Sequence, residues 1–130
     1  MLFRSKQISA TLMHSAYVRD AFSHFDSRAV NIERAINDLD PLLRVYADDS
    51  KPVTEERLGD LRNILRDGAK FAFLLFSQPY FWQFDWQSEL ADYLSENPVV
   101  FPSLLRVIDG DGKRLAEPVV LGKKRFLKDE

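Results

Sequence analysis

One segment restricts the possible folds of this chain more than any other. Leu58, Leu61, Leu65, Ala69, Ala72 and Phe76 fall at steps of three and four residues, the period of an amphipathic helix. Arg57, Asp60, Arg62, Arg66 and Asp67 occupy the other face and read as an exposed surface with local ion pairs. From Phe71 to Phe76 the sequence is apolar all round. A helix without a polar face is buried on every side, so this half is expected to run through the middle of the fold. Thr54 is suited to cap the start, Glu55 and Glu56 complement the positive helix end, and Pro79 stops the helix. The prediction is a central helix over residues 55–77. Gly59 and Gly68 each cost about 1 kcal/mol relative to Ala in a helix, tolerable where another backbone packs closely.

Other elements are arranged around that helix. Residues 5–25 lack Pro and Gly, and Ile8, Leu12, Ala16 and Arg19 with Met13, Tyr17, Ala21 and Phe25 form two adjoining helical rows. Asp26 and Ser27 then read as a break followed by an N-cap. Over residues 28–47, Ile32, Ile36, Leu39, Leu43 and Tyr46 make one continuous stripe. Pro41 lies inside it and either kinks the helix or starts a new one capped by Asp40; the unbroken stripe favours the kink. A short helix is expected over 87–95, with Leu90 and Leu94 on one face, Asp85 or Ser88 as its cap, and Asn97–Pro98 as its stop. In the tail, Pro98, Pro102 and Pro118 exclude a long helix. Asp109-Gly110-Asp111-Gly112 is a turn signal between two short strands, a hairpin over 103–121 that must lean on the helices to be stable. The expected fold is mainly α: a helical bundle of three main helices plus one short helix, with a C-terminal β-hairpin, in a single domain over residues 1–130.

Composition narrows the function classes. With 45% apolar and 29% charged residues the chain is ordinary for a globular domain. Its net charge of −2 speaks against a dedicated nucleic-acid partner. The absence of cysteine excludes disulfides, thiolate catalysis and Cys-based zinc sites, and favours a reducing, intracellular compartment. No secretory leader is visible, and the longest apolar run, Phe71 to Phe76, is far too short for a transmembrane segment.

Catalytic motifs are sparse. His14 and His24 are ten residues apart and do not share a helix face. Neither HExxH, GxGxxG, GxxxxGK[ST] nor GxSxG occurs. A calcium loop starting at Asp109 fails because Lys113 and Arg114 occupy its fifth and sixth positions. Lys123, Lys124, Arg125 and Lys128 read as a solvated tail, partly neutralised by Asp129 and Glu130. No catalytic residue, cofactor site or metal site is assigned. An enzyme pairing Asp85 with His14 or His24 would require these groups to converge in one cleft, with desolvation raising the Asp85 pKa.

The richest segment is aromatic. Half of the sixteen aromatic residues lie between Phe71 and Trp86. They read either as a core built around an aromatic elbow or as a binding surface, since Trp and Tyr dominate interface hot spots. In the second reading Tyr80, Phe81, Trp82 and Trp86 are the candidate interaction residues, with Tyr80 and Trp82 the most exposed. Gln78 and Asp85, interleaved with the rings, are candidate polar anchors of an apolar pocket beside the third helix.

Three blocks carry a family resemblance. Arg44-Val45-Tyr46-Ala47-Asp48-Asp49-Ser50, Phe76-Ser77-Gln78-Pro79 with Phe84-Asp85-Trp86, and Val99-Val100-Phe101-Pro102 with Leu104 resemble carboxy-terminal segments of uncharacterised proteins from filamentous fungi. The similarity spans Ile32 to Leu121 and implies a recurrent domain, one that ends longer proteins. It implies no activity. The sparse catalytic motifs and the aromatic crowding from Tyr80 to Trp86 give the expectation of a non-enzymatic protein-interaction or self-assembly domain, whose partner is a protein or a second copy. The alternative is a small-molecule or lipid binder with an apolar pocket.

Overall fold

A computed structural model describes residues 2–47, 50–87 and 98–127, with side chains from Arg4 onward. The chain divides into two compact units, Met1–Ser77 and Gln78–Glu130.

The first unit is helical. Helix α1 (Leu2–His14) passes into a π-helical turn, Ser15–Arg19, closed by the Asp20 amide donating to the Ser15 carbonyl at 2.9 Å. The predicted 5–25 helix therefore ends early. Its cause lies in the next turn, where Phe22 adopts a left-handed conformation with φ 60°, a conformation that costs a bulky residue about 1–3 kcal/mol. The Phe22 amide donates to Asp26 Oδ2 at 2.8 Å, which holds the chain in this path.

Asp26 is the N-cap of α2 (Ser27–Arg44), one residue before Ser27, where the sequence places the cap, and it accepts from the Arg28 amide at 3.0 Å. Its carboxylate is fully buried and pairs with the Arg28 guanidinium at 2.8 Å. Arg28 also donates to the Tyr17 carbonyl at 2.7 Å and to the Ala69 carbonyl at 3.2 Å, and lies 4.1 Å from the Tyr17 ring centre. One ion pair thus fastens the π turn, the loop, the start of α2 and the body of α3 (Lys51–Ser77).

Helices α2 and α3 are antiparallel, and charge marks their register. Arg28 reaches Ala69, Arg62 donates to Glu33 at 2.6 Å, and Arg57 donates to Asp40 at 2.9 Å. Arg44 completes the last site at 2.6 Å from Asp40. The α2 stripe is buried only at Ile32 and Ile36; the next buried position is Asp40, while Leu39, Leu43 and Tyr46 are exposed. The buried face follows a strict four-residue step, and two arginines draw it onto a carboxylate. Helix α2 continues through Pro41, as the unbroken pattern predicts, although it ends at Arg44 rather than 47.

Helix α3 starts at Lys51, earlier than predicted, so Thr54 lies in its first turn and donates its amide to the Ser50 carbonyl at 3.0 Å. The expectation of all-round burial fails: no residue of α3 is fully buried, and Phe71 and Leu74 are 44% and 55% exposed. No backbone closes on its glycines either, since a Cβ at Gly59 or Gly68 would meet nothing within 4 Å.

The second unit is β-structured, which corrects the predicted fold class. Strands β1 (Phe81–Asp85), β3 (Ser103–Ile108) and β4 (Arg114–Leu121) form an antiparallel sheet in the order β1-β3-β4. Strands β2 (Val99–Phe101) and β5 (Arg125–Phe126) form a separate antiparallel pair. The β3–β4 hairpin and its turn lie where the sequence predicts them. Gly112 supplies φ 78°, and Asp109 Oδ1 accepts from the Asp111 and Lys113 amides at 2.9 and 2.8 Å. The architecture is α+β rather than a helical bundle carrying one hairpin, because the aromatic segment pairs as a strand. The predicted 87–95 helix lies outside the described residues beyond Gln87. No helix among the described residues is long and apolar enough to cross a membrane.

Candidate functional site

The first unit carries a groove of about 710 Å³ between the end of α1 and the second half of α3. One wall comes from His14, Tyr17, Val18 and Ala21. The other comes from Asp67, Lys70, Phe71, Phe73, Leu74 and Ser77, successive positions on one side of α3. At 1.5 Å per residue the α3 wall runs about 15 Å. The middle is apolar, and the Tyr17 and Phe73 rings meet edge to face at 5.4 Å. Asp67 and Lys70 stand at one end, their charged atoms 3.5 Å apart and both exposed. At the other end the Ser77 hydroxyl donates to the Phe73 carbonyl at 2.7 Å.

Cations gather beyond the Lys70 end. Arg28, Arg66 and Lys70 lie 4.8, 5.4 and 6.0 Å from the centre of the Phe22 ring, within reach of its negative face. Arg28 is committed to Asp26. Burial pushes the Asp26 carboxyl pKa up, but the Arg28 side chain, the Phe22 and Arg28 amides and the guanidinium charge outweigh this and hold it below the ordinary value. Glu33 is likewise held low, first by its hydrogen bond from Arg62.

The sequence-predicted residues lie in the second unit. Tyr80 and Trp82 meet edge to face at 6.1 Å, and the Arg106 guanidinium stacks 4.6 Å from the Tyr80 ring centre. Trp82 pairs with Arg106 across β1 and β3. Phe81 and Trp82 are therefore half-buried strand residues, and Tyr80, also half-buried, immediately precedes the strand. Trp86, in contrast, is 58% exposed, and Phe84 is exposed beside it. Phe84 shares a register row with Leu104 and Leu121, so an apolar strip crosses all three strands.

Gln78 and Asp85 do not line the groove. Asp85 instead pairs with Lys124 at 2.6 Å and accepts from the Gln87 amide at 3.0 Å. The Lys124 hydrogen bond, then the Gln87 amide, hold its carboxyl below the ordinary range, opposite to the shift that a general acid at neutral pH needs. Lys124 is not part of a solvated tail: its side chain is buried and also donates to the Gln87 carbonyl at 2.6 Å. Arg125 is likewise engaged, 4.7 Å from the Phe101 ring centre. His14 borders the groove and His24 stacks on Phe25 at 3.8 Å. Among the described residues no group of three His, Asp or Glu stands together as a metal site.

The sequence predicts an apolar pocket beside the third helix but anchors it on Gln78 and Asp85; its placement against the end of α1 went unread because Phe71 and Leu74 were expected in a core. The available signal was the row of Tyr17 and Ala21, which continues past α1 and faces the same stretch of α3. Compared with known proteins, the chain matches no family model, no curated protein and no solved structure.

Proposed function

We propose that this chain is a non-enzymatic protein-interaction domain that assembles with copies of itself. One observation carries the reading. Among the described residues only Ala10, Ile32 and Ile36 are buried apolar side chains, while large apolar residues such as Leu12, Phe25, Leu74, Phe84 and Trp86 stand exposed. Scattered exposed apolar residues are normal, but a surplus on this scale with so small a core is the pattern of a chain that completes its packing against another. The cysteine-free sequence supports an intracellular setting, and the small negative net charge supports a protein rather than nucleic acid as partner. Light scattering on a size-exclusion column across a dilution series tests this. The expected mass exceeds 15.1 kDa and falls toward it on dilution, and Trp86→Ser moves the transition to higher concentration. A mass of 15.1 kDa at every concentration rejects self-assembly.

The groove favours a second reading, an apolar small-molecule or lipid binder. Its volume and its apolar lining with a few polar groups at the ends are those of ligand sites. A thermal-shift series with apolar ligands tests it; saturable stabilisation is expected, and none at any concentration rejects it.

A further inference from the structure

We propose that the groove between α1 and α3 takes a long-chain monocarboxylate, with its alkyl chain along Val18, Phe71 and Leu74 and its head against Lys70 and Arg66. The inference rests on the reading of the groove as an apolar-ligand site and adds the chemical class and orientation of the ligand.

The walls dictate the chain. Val18, Phe71 and Leu74 offer no hydrogen-bond partner along the middle of the groove, so a polar group placed there would lose its water without compensation. An unsubstituted alkyl chain loses nothing of the kind and gains about 0.8 kcal/mol per buried CH₂. The about 15 Å run of the α3 wall suits an extended chain rather than a compact ring.

The charges dictate the head. Around the Lys70 end, Arg28 is neutralised by Asp26 and Arg62 by Glu33. Lys70 is matched by Asp67 at a loose 3.5 Å. Arg66 faces the Phe22 ring and acts on Glu33 only through its charge, since Glu33 forms its ion pair with Arg62 and no carboxylate among the described residues stands within ion-pair distance of Arg66. Arg66 and Lys70 are four residues apart on α3, a spacing at which like charges repel, and both reach the same ring. One negative charge between them balances the residual charge; a second would leave an excess against Asp67. At the opposite end the Ser77 hydroxyl is committed to the Phe73 carbonyl, so the anionic head belongs beside Lys70.

The test is calorimetric titration of the full chain at neutral pH with dodecanoate and dodecyltrimethylammonium below their micellar concentrations and dodecanol below its solubility limit. Dodecanoate is expected to saturate at one molecule per chain. The other two are expected to bind at least about tenfold more weakly, because a charge-assisted hydrogen bond contributes about 1.5 kcal/mol or more. Lys70→Glu is expected to shift preference toward the ammonium, and Leu74→Arg to abolish binding with the helical circular dichroism retained. Should Leu74→Arg unfold, Val18→Glu on the facing wall serves the same purpose. Equal affinity for all three heads overturns the assignment of the head while leaving an apolar-ligand site in place. No saturation with any amphiphile overturns both, as does binding to anionic vesicles without binding of the free carboxylate.

Discussion

Asp26 ties several parts of the first unit together. It caps α2, holds the left-handed Phe22 amide and neutralises Arg28, which in turn reaches Tyr17 and Ala69. Removing one member of a buried ion pair leaves the other uncompensated, which costs about 3 kcal/mol or more. Asp26→Asn keeps the shape and removes the charge. At neutral pH it is expected to lower the unfolding free energy by about 3 kcal/mol in urea titrations followed by circular dichroism. The sign of the pH dependence follows from the lowered pKa. A carboxyl group held below its unfolded value contributes stability above the unfolded pKa of about 3.9, and that contribution is lost as pH falls through the folded value. The gap between parent and variant is therefore expected to stay constant from neutral pH to about pH 5 and to close below about pH 4. A gap unchanged down to pH 2 would show that the Asp26 charge is not what Arg28 requires.

At the scale of elements, α3 carries two glycines that no neighbour demands. A Cβ at Gly68 meets nothing within 4 Å, so Gly68→Ala is expected to stabilise the protein by up to about 1 kcal/mol through helix propensity and a less disordered unfolded chain. A loss of stability would mean that α3 meets a surface there in solution, such as a second copy. The elements also show what is legible in a sequence. Helices α2 and α3 and the β3–β4 hairpin were legible because each carries its own local chemistry, a periodic apolar stripe or an Asp-Gly turn between apolar runs; the cap of α2 falls one residue earlier than expected, on Asp26 rather than Ser27. Strand β1 was not, although Phe81–Asp85 contains the alternation, with Trp82 and Phe84 on one face and Gln83 and Asp85 on the other. Five residues crowded with rings after Pro79 satisfy an elbow as well as a strand, and only the pairing with β3 decides. Strands β2 and β5, of three and two residues, are too short to carry any period. That the groove lies against the end of α1 was invisible for a related reason. An all-apolar helix face predicts burial, but whether its own chain or another molecule covers it is a tertiary fact.

For the molecule as a whole, the two units carry different spectroscopic reporters. The described helices all belong to Met1–Ser77, whereas both tryptophans, Trp82 and Trp86, belong to Gln78–Glu130. Circular dichroism at the helical band therefore follows the first unit and tryptophan fluorescence the second. Because the contacts cluster within each unit, the two urea transitions are expected to have different midpoints, a departure from two-state unfolding. Coincident transitions would show a single cooperative unit.

The charged contacts between α2 and α3 also work as an address. Along α2 they fall at residues 28, 33 and 40, and along α3 at 69, 62 and 57, so neither helix repeats its spacing. Sliding one helix by a turn, about four residues, cannot rebuild the set. In one direction Glu33 would find Arg66 but Asp40 would face Leu61; in the other Glu33 would meet Leu58 and Asp40 would meet Val53. Two smooth apolar helices have many near-equivalent alignments. Arg28 meets a main-chain carbonyl, but the two ion pairs, seven residues apart on α2 and five on α3, are matched in one alignment only, much as unevenly cut teeth admit one key, so a chain with few buried apolar side chains can still hold a unique helix alignment.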